Sequence, residues 1–442
     1  MNLETFKVKL SLIALFYFLT VDYKYFGIFF IIFFIIFGIN FTTNTIEENL
    51  FRLLPILFYL KKFILGFSDR YSELWTKTSL NDFYLQSKFP DINIDILQYK
   101  CQYFLDSFQE SYFVEINNCP MGNYRYGPLH HLIQLNLDPY YASFLWIGIL
   151  SGLSLFAYLK ITNKNRDLIP LISIILLSPV VNMAYHQFNM DLFLIISSYY
   201  LLKNIDKFTF PKIILLTLIA LIKQHPVALL FGLGYVFFIN KKSKKLTFII
   251  VNLFCFITVN LILFNDLNLL SGQPRPSNMY NSSGLLTFSQ YSWVNIFNEF
   301  GSYRYVLIIY IIIFSTTILF GKIFIVDKKS IIQKINHKNL EKYYPFILWF
   351  LFAGSYANYD YRNLILIVLS VFILKSTDKL SVTIYLILIM SSPFSSFLPG
   401  IILNIMSTIK FLSYLYIYSL LFFIALKPIA EKIKLDKKIY GL

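Results

Sequence analysis

Four short polar strings interrupt an otherwise apolar sequence. In chain order they are Asn123-Tyr124-Arg125-Tyr126-Gly127-Pro128, Tyr185-His186-Gln187-Phe188-Asn189-Met190-Asp191, Lys223-Gln224-His225-Pro226 and Asn358-Tyr359-Asp360-Tyr361-Arg362-Asn363, called below the first to fourth polar strings. Arg362 suits an anionic ligand, because a guanidinium group matches the geometry of a phosphate. The strings therefore hold candidate binding residues.

Each string also has an ordinary structural explanation. Gly127-Pro128 forms a turn that ends a loop, and an Asn or Asp of the second string caps a helix that begins near Leu192. Lys223 could snorkel from a tight turn, and Asp360 could pair locally with Arg362. A turn suffices for the first string. A cap accounts for one residue of the second string and leaves the others unexplained.

Two acidic residues follow a proline upstream of these strings. Asp91 and Asp95 lie four positions apart after Pro90, so they share a face of any helix that begins there. They can complement the helix dipole, which is the preferred explanation for Asp95. Together they could also hold a cation. A mechanism without a metal is the simpler expectation, so no cofactor is expected and a divalent cation stays open.

Two cysteines follow these acidic residues in the chain. Cys101 and Cys119 are 18 positions apart, and in an oxidising compartment they can form a disulfide. Two buried free thiols are the alternative. We expect the disulfide, which would fix the segment beside the turn at Gly127-Pro128.

The composition is that of a membrane protein. Hydrophobic residues make up 57% and charged residues 14% of the 442 residues, whereas soluble domains carry about 25% charged residues. This excludes a water-soluble class. The 15 prolines and 16 glycines are too few for a collagen-like or disordered chain.

The apolar runs predict an all-α fold, a polytopic transmembrane helical bundle of about 12–14 spans. The residues 1–442 form a single integral membrane domain in this prediction. No small-residue cleavage site follows Leu10–Thr20, so the first run is expected to be a span and not a signal peptide. The candidate spans are 9–24, 26–41, 50–67, 141–160, 168–184, 189–203, 209–223, 225–240, 246–264, 304–324, 344–357, 362–376, 380–399 and 411–427.

The charge distribution predicts the orientation. The net charge is +15, and clusters of Lys and Arg alternate with neutral loops from residue 141 to the end. Because cytoplasmic loops of membrane proteins carry excess Lys and Arg, the excess is explained without nucleic acid. Both termini are then inside. Two large extracytoplasmic loops, 68–140 and 265–303, and all four polar strings are outside.

The motifs in this order resemble the GT-C superfamily of polyprenyl-phosphate-dependent membrane glycosyltransferases, and within it glycosyltransferase family 87. The matching features are an acid in the first outer loop, a Tyr-x-Pro turn, an Asn-x-Asp string that opens a span, a Lys-x-x-Pro string and a late Asn-x-Asp-Tyr-Arg string. Here they are Asp91, Tyr126-Gly127-Pro128, Asn189-Met190-Asp191, Lys223-Gln224-His225-Pro226 and Asn358-Tyr359-Asp360-Tyr361-Arg362. Phe188 departs from the small residue expected before Asn189.

The resemblance implies an enzyme of the cytoplasmic membrane with its site on the extracytoplasmic face. It would transfer a single sugar from a polyprenyl-phosphate donor to a lipid-linked or surface-glycan acceptor. Asp91 would be the base that deprotonates the acceptor hydroxyl. The residues implied in substrate binding are Arg125, Tyr126, His186, Asn189, Asp191, Lys223, His225, Asp360 and Arg362.

Two other functions stay open at this point. A transporter or flippase of lipid-linked sugars would place polar residues near the bilayer midplane and often shows internal repeats. A surface-polysaccharide polymerase or ligase would also be polytopic with a large outer loop. The order of the motifs favours the single-sugar transferase.

Overall fold

A computed structural model describes residues 45–66, 129, 139–163, 166–178, 180–181, 191–203, 205, 209–264, 282–283, 341–354, 358–359, 363–374, 379–390 and 400–440. The helices in these ranges are α1 (Thr45–Gly66), α2 (Pro139–Thr162), α3 (Ile169–Leu176), α4 (Asp191–Leu202), α5 (Phe210–Ile222), α6 (Val227–Ile239), α7 (Ser243–Phe264), α8 (Tyr344–Gly354), α9 (Ile365–Leu374), α10 (Lys379–Met390) and α11 (Gly400–Tyr440). A short 3-10 helix, Arg166–Leu168, precedes α3.

The helical class is confirmed for the described residues. Every predicted apolar run that falls on them overlaps a helix, whereas the runs 9–24, 26–41 and 304–324 lie outside the described ranges. The exception to the helices is a pair of two-residue strands, β1 (Ser282–Ser283) and β2 (Asn358–Tyr359). They pair antiparallel, with Ser282 opposite Tyr359 and Ser283 opposite Asn358.

Most of the described apolar helices are shorter than the predicted spans. Two segments are long and apolar enough to cross a membrane, Ser243–Ile262 in α7 and Thr408–Leu426 in α11. By contrast, α5 and α6 have 13 residues each. A helix of that length reaches about 20 Å, against about 30 Å of hydrocarbon. The structure thus gives two candidate spans in the described part, and the larger bundle is a proposal.

Local chemistry explains where α6 begins. Pro226 directly precedes α6, and its ring fixes a backbone angle suited to the start of a helix.

The last helix is longer than predicted, since α11 runs for 41 residues and continues through Pro428 and the basic C-terminal cluster. The run 411–427 is therefore the middle of a helix and not a complete one.

The described residues belong to two compact units. The first unit comprises the described parts of Met1–Ser198, Leu218–Gln224 and Ile257–Gln273. In it, Tyr158 of α2 is buried, and its hydroxyl lies 2.9 Å from Ser173 Oγ of α3 and 3.3 Å from the carbonyl oxygen of Phe51 of α1. One buried hydroxyl thus joins three helices.

The second unit comprises the described parts of Tyr199–Thr217, His225–Phe256 and Pro274–Leu442. Its helices are joined by buried tyrosines. The Tyr418 hydroxyl of α11 donates to the Leu351 carbonyl of α8 at 2.9 Å, and the Tyr385 hydroxyl of α10 donates to the Leu366 carbonyl of α9 at 3.0 Å. The division into units does not test the predicted single membrane domain.

Candidate functional site

The second and third polar strings meet in a buried ion pair. Asp191 is the first residue of α4, and Lys223 directly follows α5, with its backbone N–H bonded to the Ile219 carbonyl. Lys223 Nζ lies 2.8 Å from Asp191 Oδ1. Asp191 is 1% exposed and Lys223 is 7% exposed, so both charges are removed from water. Both residues belong to the first unit.

The helix ends favour this placement of charge. A carboxylate at the first turn of α4 and an ammonium after the last turn of α5 each complement the local helix dipole. Even so, a buried pair contributes little net stability, because desolvation of both ions offsets their attraction. A pair of this kind is often retained for a reason other than stability, and this makes it the centre of the candidate site.

The position of Lys223 excludes one of the explanations that the sequence left open, a snorkelling lysine. A snorkelling lysine keeps its ammonium group in water. Lys223 is buried and paired with a carboxylate instead, because α4 places Asp191 within reach. Asp191 is the first residue of α4, close to the predicted start near Leu192, and its ion pair is a contact that the sequence did not indicate.

His225 of the third string makes a directed contact in the second unit. Its Nδ1 accepts a hydrogen bond of 2.9 Å from Trp349 Nε1–H of α8. The two rings are stacked, with centroids 5.4 Å apart and an interplanar angle of 25°. Trp349 is fully buried and His225 is half-buried. A residue predicted to bind substrate is thus held by a residue that the sequence analysis did not single out.

Two further aromatic rings lie in a row beside Trp349. The Phe346 ring lies 6.3 Å from it between centroids, and the Tyr199 ring lies 6.4 Å from that of Phe346. Tyr343 directly precedes α8, and burial raises the pKa of its phenol. The Tyr199 phenol raises this pKa further. Tyr343 therefore stays neutral and can only act as a hydrogen-bonding group.

The fourth string pairs with part of the segment 265–303, which is the second predicted outer loop. Asn358 and Tyr359 form β2, which pairs with Ser282 and Ser283 of the loop 265–303. Two segments predicted on the same side of the membrane are therefore in contact. Asn363, which ends the fourth string, is 2% exposed.

The remaining predicted site residues cannot be placed. The base Asp91 and the proposed disulfide partners stay predictions, as do the other binding residues. Those that lie outside the described residues are Asp91, Cys101, Cys119, Arg125, Tyr126, His186, Asn189, Asp360 and Arg362.

The sequence analysis did not single out two residues of interest, Trp349 and Lys410. Trp349 lies inside an apolar run, where an aromatic side chain is typical of any core. Lys410 is 1% exposed on α11, although it directly precedes the predicted run 411–427. Its position beside that run was the available signal, since a lysine next to a long apolar run is close to the protein interior, where lysine is rarely found.

Among the described residues, no group of three or more His, Cys, Asp or Glu side chains could hold a metal ion. Asp91 and Asp95 lie outside that part of the chain. The divalent cation that the sequence left open is therefore untested.

Comparisons with protein-family models, curated proteins and solved structures find no match to this chain. The resemblance to the GT-C glycosyltransferases therefore rests on the polar strings and their order.

Proposed function

We propose that this protein is a membrane glycosyltransferase that transfers a single sugar from a polyprenyl-phosphate donor to a lipid-linked or surface-glycan acceptor. The observation that carries the proposal is the buried ion pair between Asp191 and Lys223. It joins two of the polar strings on which the family resemblance rests. The reaction would take place on the extracytoplasmic face of the cytoplasmic membrane, within a polytopic bundle of about 12–14 spans.

The side chains of α7 support a membrane setting. Its inward positions include the polar residues Asn252 and Asn260, which are 8% and 5% exposed. Asn252 Oδ1 accepts a hydrogen bond of 3.1 Å from Thr217 Oγ1 of α5. The exposed positions are instead large and apolar: Ile250, Val251, Phe254, Ile257, Leu261 and Ile262. Polar residues between helices and apolar residues outside are the arrangement expected in lipid.

Lys223 supplies a cation suited to the donor phosphate. An ammonium group has three N–H donors, so its contact with Asp191 still allows a second acceptor. Asp191 orients the lysine and balances its charge before the donor binds. As the sugar leaves, negative charge develops on the phosphate, and a nearby cation stabilises it.

The transfer itself is an inverting displacement at the anomeric carbon. The acceptor oxygen forms the new bond to this carbon while the bond to the phosphate oxygen breaks. Asp91 takes the acceptor proton, and the electron pair of the broken bond stays on the polyprenyl phosphate. Arg362, with Arg125, would bind the phosphate, and the lipid tail would lie between apolar helices.

The second candidate is a transporter of lipid-linked sugars. The same ion pair favours it, because buried carboxylate and ammonium groups in membrane proteins also mark proton and substrate pathways. The two functions differ in their products. A transferase forms a glycosylated acceptor and free polyprenyl phosphate, whereas a transporter leaves the donor intact.

The test uses purified protein in lipid nanodiscs, which enclose no compartment. The protein is supplied with radiolabelled polyprenyl-phosphate sugars and with lipid-linked acceptors. Release of polyprenyl phosphate together with labelled acceptor supports the transferase. An intact donor in nanodiscs, combined with its movement between the leaflets of protein-containing vesicles, supports the transporter instead.

The catalytic base gives the first prediction. Asp91→Asn keeps the size of the side chain and removes the basic oxygen, so turnover should fall about 10²–10⁴-fold while donor binding persists. Turnover and donor binding are measured on the same nanodisc sample. Asp95→Asn is the matched control and should keep near wild-type turnover. A fully active Asp91→Asn protein would remove this residue from the mechanism.

A further inference from the structure

The hydrogen bond between Trp349 and His225 has a defined direction. An indole nitrogen always carries its proton and can only donate. His225 Nδ1, 2.9 Å away, must therefore accept, and an accepting ring nitrogen carries no proton. The proton of the neutral imidazole then lies on Nε2. This contact sets the tautomer, since the partner of one ring nitrogen decides which nitrogen is protonated.

The surroundings keep Trp349 in place. Its side chain is fully buried, with Phe346 on the same helix beside it. The helix that follows His225 is packed closely on the helix that carries Trp349, since Gly232 of α6 meets the backbone of Pro345 of α8. The stacked rings of His225 and Trp349 further restrict the imidazole plane. Burial of the indole and the close packing of α6 on α8 both restrict its movement away from His225.

We propose that Trp349 is a positioning residue that holds His225 as the Nε2–H tautomer, so that His225 donates a hydrogen bond to a phosphate oxygen of the lipid donor. This inference rests on the proposed function and assigns the role of His225 within it. A neutral donor suits an anionic leaving group, because an N–H aimed at a charged oxygen makes a strong hydrogen bond. The same tautomer cannot take a proton at Nε2, so His225 is not the base.

The tautomer is tested first, by nitrogen NMR of protein labelled at its five histidines. His225 is assigned by its loss in His225→Gln. In the wild type we expect Nδ1 without a proton and Nε2 with one. In Trp349→Phe, which keeps a ring for stacking and removes the N–H, we expect a mixture of tautomers. Phe346→Leu removes a neighbouring ring without a hydrogen bond and should leave the tautomer unchanged.

Binding is tested with a polyprenyl monophosphate, and with a polyprenol of the same length to separate the phosphate from the tail. Trp349→Phe should weaken binding of the phosphate by the inverse of the Nε2–H fraction that remains, about 2-fold for an equal mixture of tautomers. Binding of the polyprenol should not change. Phe346→Leu should change the two affinities equally or leave both unaltered.

Two substitutions of His225 separate donation from proton transfer. Gln places an amide N–H near the position of Nε2, and Asn places its amide near Nδ1. His225→Gln should therefore bind the polyprenyl monophosphate within about 3-fold of wild type, and His225→Asn should lose about 10-fold. This pair also decides the question if Trp349→Phe fails to fold.

The outcomes are distinct. An Nδ1–H tautomer in the wild type, an unchanged tautomer in Trp349→Phe, or equal losses in the Gln and Asn variants would each overturn the inference. If the wild type shows the expected tautomer and binds no polyprenyl monophosphate, the proposed function fails and the phosphate role of His225 fails with it. In that case the control of the tautomer by Trp349 still stands.

Discussion

Asp191 and Lys223 form an ion pair inside the protein, where neither side chain can be replaced alone without consequence. Their atoms lie 2.8 Å apart, and both side chains are almost completely buried. The i to i+4 pair Arg52–Glu48 of α1 has the same separation, with side chains that are 31% and 26% exposed. Because water screens the second pair, loss of one partner there should lower the free energy of unfolding much less than loss of one partner in the buried pair.

The ion pair leads to a prediction about stability. Lys223→Met leaves the Asp191 carboxylate buried without its ammonium partner and should lower the free energy of unfolding by about 3–5 kcal/mol. The double variant Asp191→Leu/Lys223→Met replaces both charges with apolar groups and should recover most of this loss. Thermal denaturation in detergent measures both effects.

Glu48→Gln is the control, and its expected cost is only about 0.3–0.5 kcal/mol, as for other pairs four residues apart on a helix. If the single and double variants at 191 and 223 were equally unstable, the pair would not be the cause. The double variant also isolates function. A folded protein without either charge should fail to bind a polyprenyl monophosphate if Lys223 contacts the phosphate.

At the scale of elements, close packing of α6 on α8 holds the third polar string in position. Pro226, the last residue of that string, directly precedes α6, and Trp349 lies on α8. The two helices approach at Gly232, where a side chain would collide with the Pro345 backbone. A glycine is required at this contact for reasons of space, and the contact supports the hydrogen bond between His225 and Trp349.

Two glycines of α6 give a matched pair of predictions. Gly232→Ala adds a Cβ where Pro345 leaves no room and should lower stability by about 1–3 kcal/mol. In Gly234→Ala the nearest atoms would be Ile249 Cγ2 at 3.6 Å and Leu246 Cδ1 at 3.7 Å, which are ordinary contacts. This change should raise stability by about 0.5–1 kcal/mol, because alanine restricts the unfolded chain and favours a helix.

The measurement is again thermal denaturation, with the two glycine variants compared in one detergent. Opposite signs of the two shifts are the expected result. A neutral Gly232→Ala would mean that α8 moves away at little cost. The hydrogen bond from Trp349 to His225 would then depend on something other than this close approach.

At the scale of the whole molecule, α7 shows how polar and apolar side chains are divided between the interior and the surface. α7 directs asparagines inward and large apolar side chains outward, and Phe254 is 70% exposed. Such a surface in water would favour aggregation. In lipid it is the ordinary exterior of a spanning helix, and Ser243–Ile262 has the length to span.

Membrane insertion of α7 is therefore a test of the setting. Phe254→Lys places a charge near the middle of the apolar segment and should cost about 2.5–3.5 kcal/mol of insertion free energy. Thr247→Lys adds the same charge near the end of the helix, where the lysine can reach the interface, and should cost little. Glycosylation-site mapping of the inserted helix measures both variants. Equal insertion of the two would argue against a spanning role.

The sequence by itself determined the helical class of the described residues and the approximate positions of their helices. Helical hydrogen bonds are local, and long apolar runs must be buried or placed in lipid, so composition and apolar runs predict both. The sequence also indicated that Lys223 and His225 are unusual, since polar groups between apolar runs require partners. It could not set the lengths of the helices, because α10 ends at Met390 and α11 begins at Gly400, whereas the corresponding apolar runs end at 399 and begin at 411.

Only the tertiary structure decided which side chains meet. Asp191 and Lys223 lie at the ends of different helices, and the bond from Trp349 to His225 spans 124 positions of the chain. No local pattern distinguishes Trp349 from the other aromatic residues of its run, because its role depends on where α8 packs. The partner of a buried charge or ring nitrogen is set by the packing of whole helices, and that packing depends on contacts far apart in sequence.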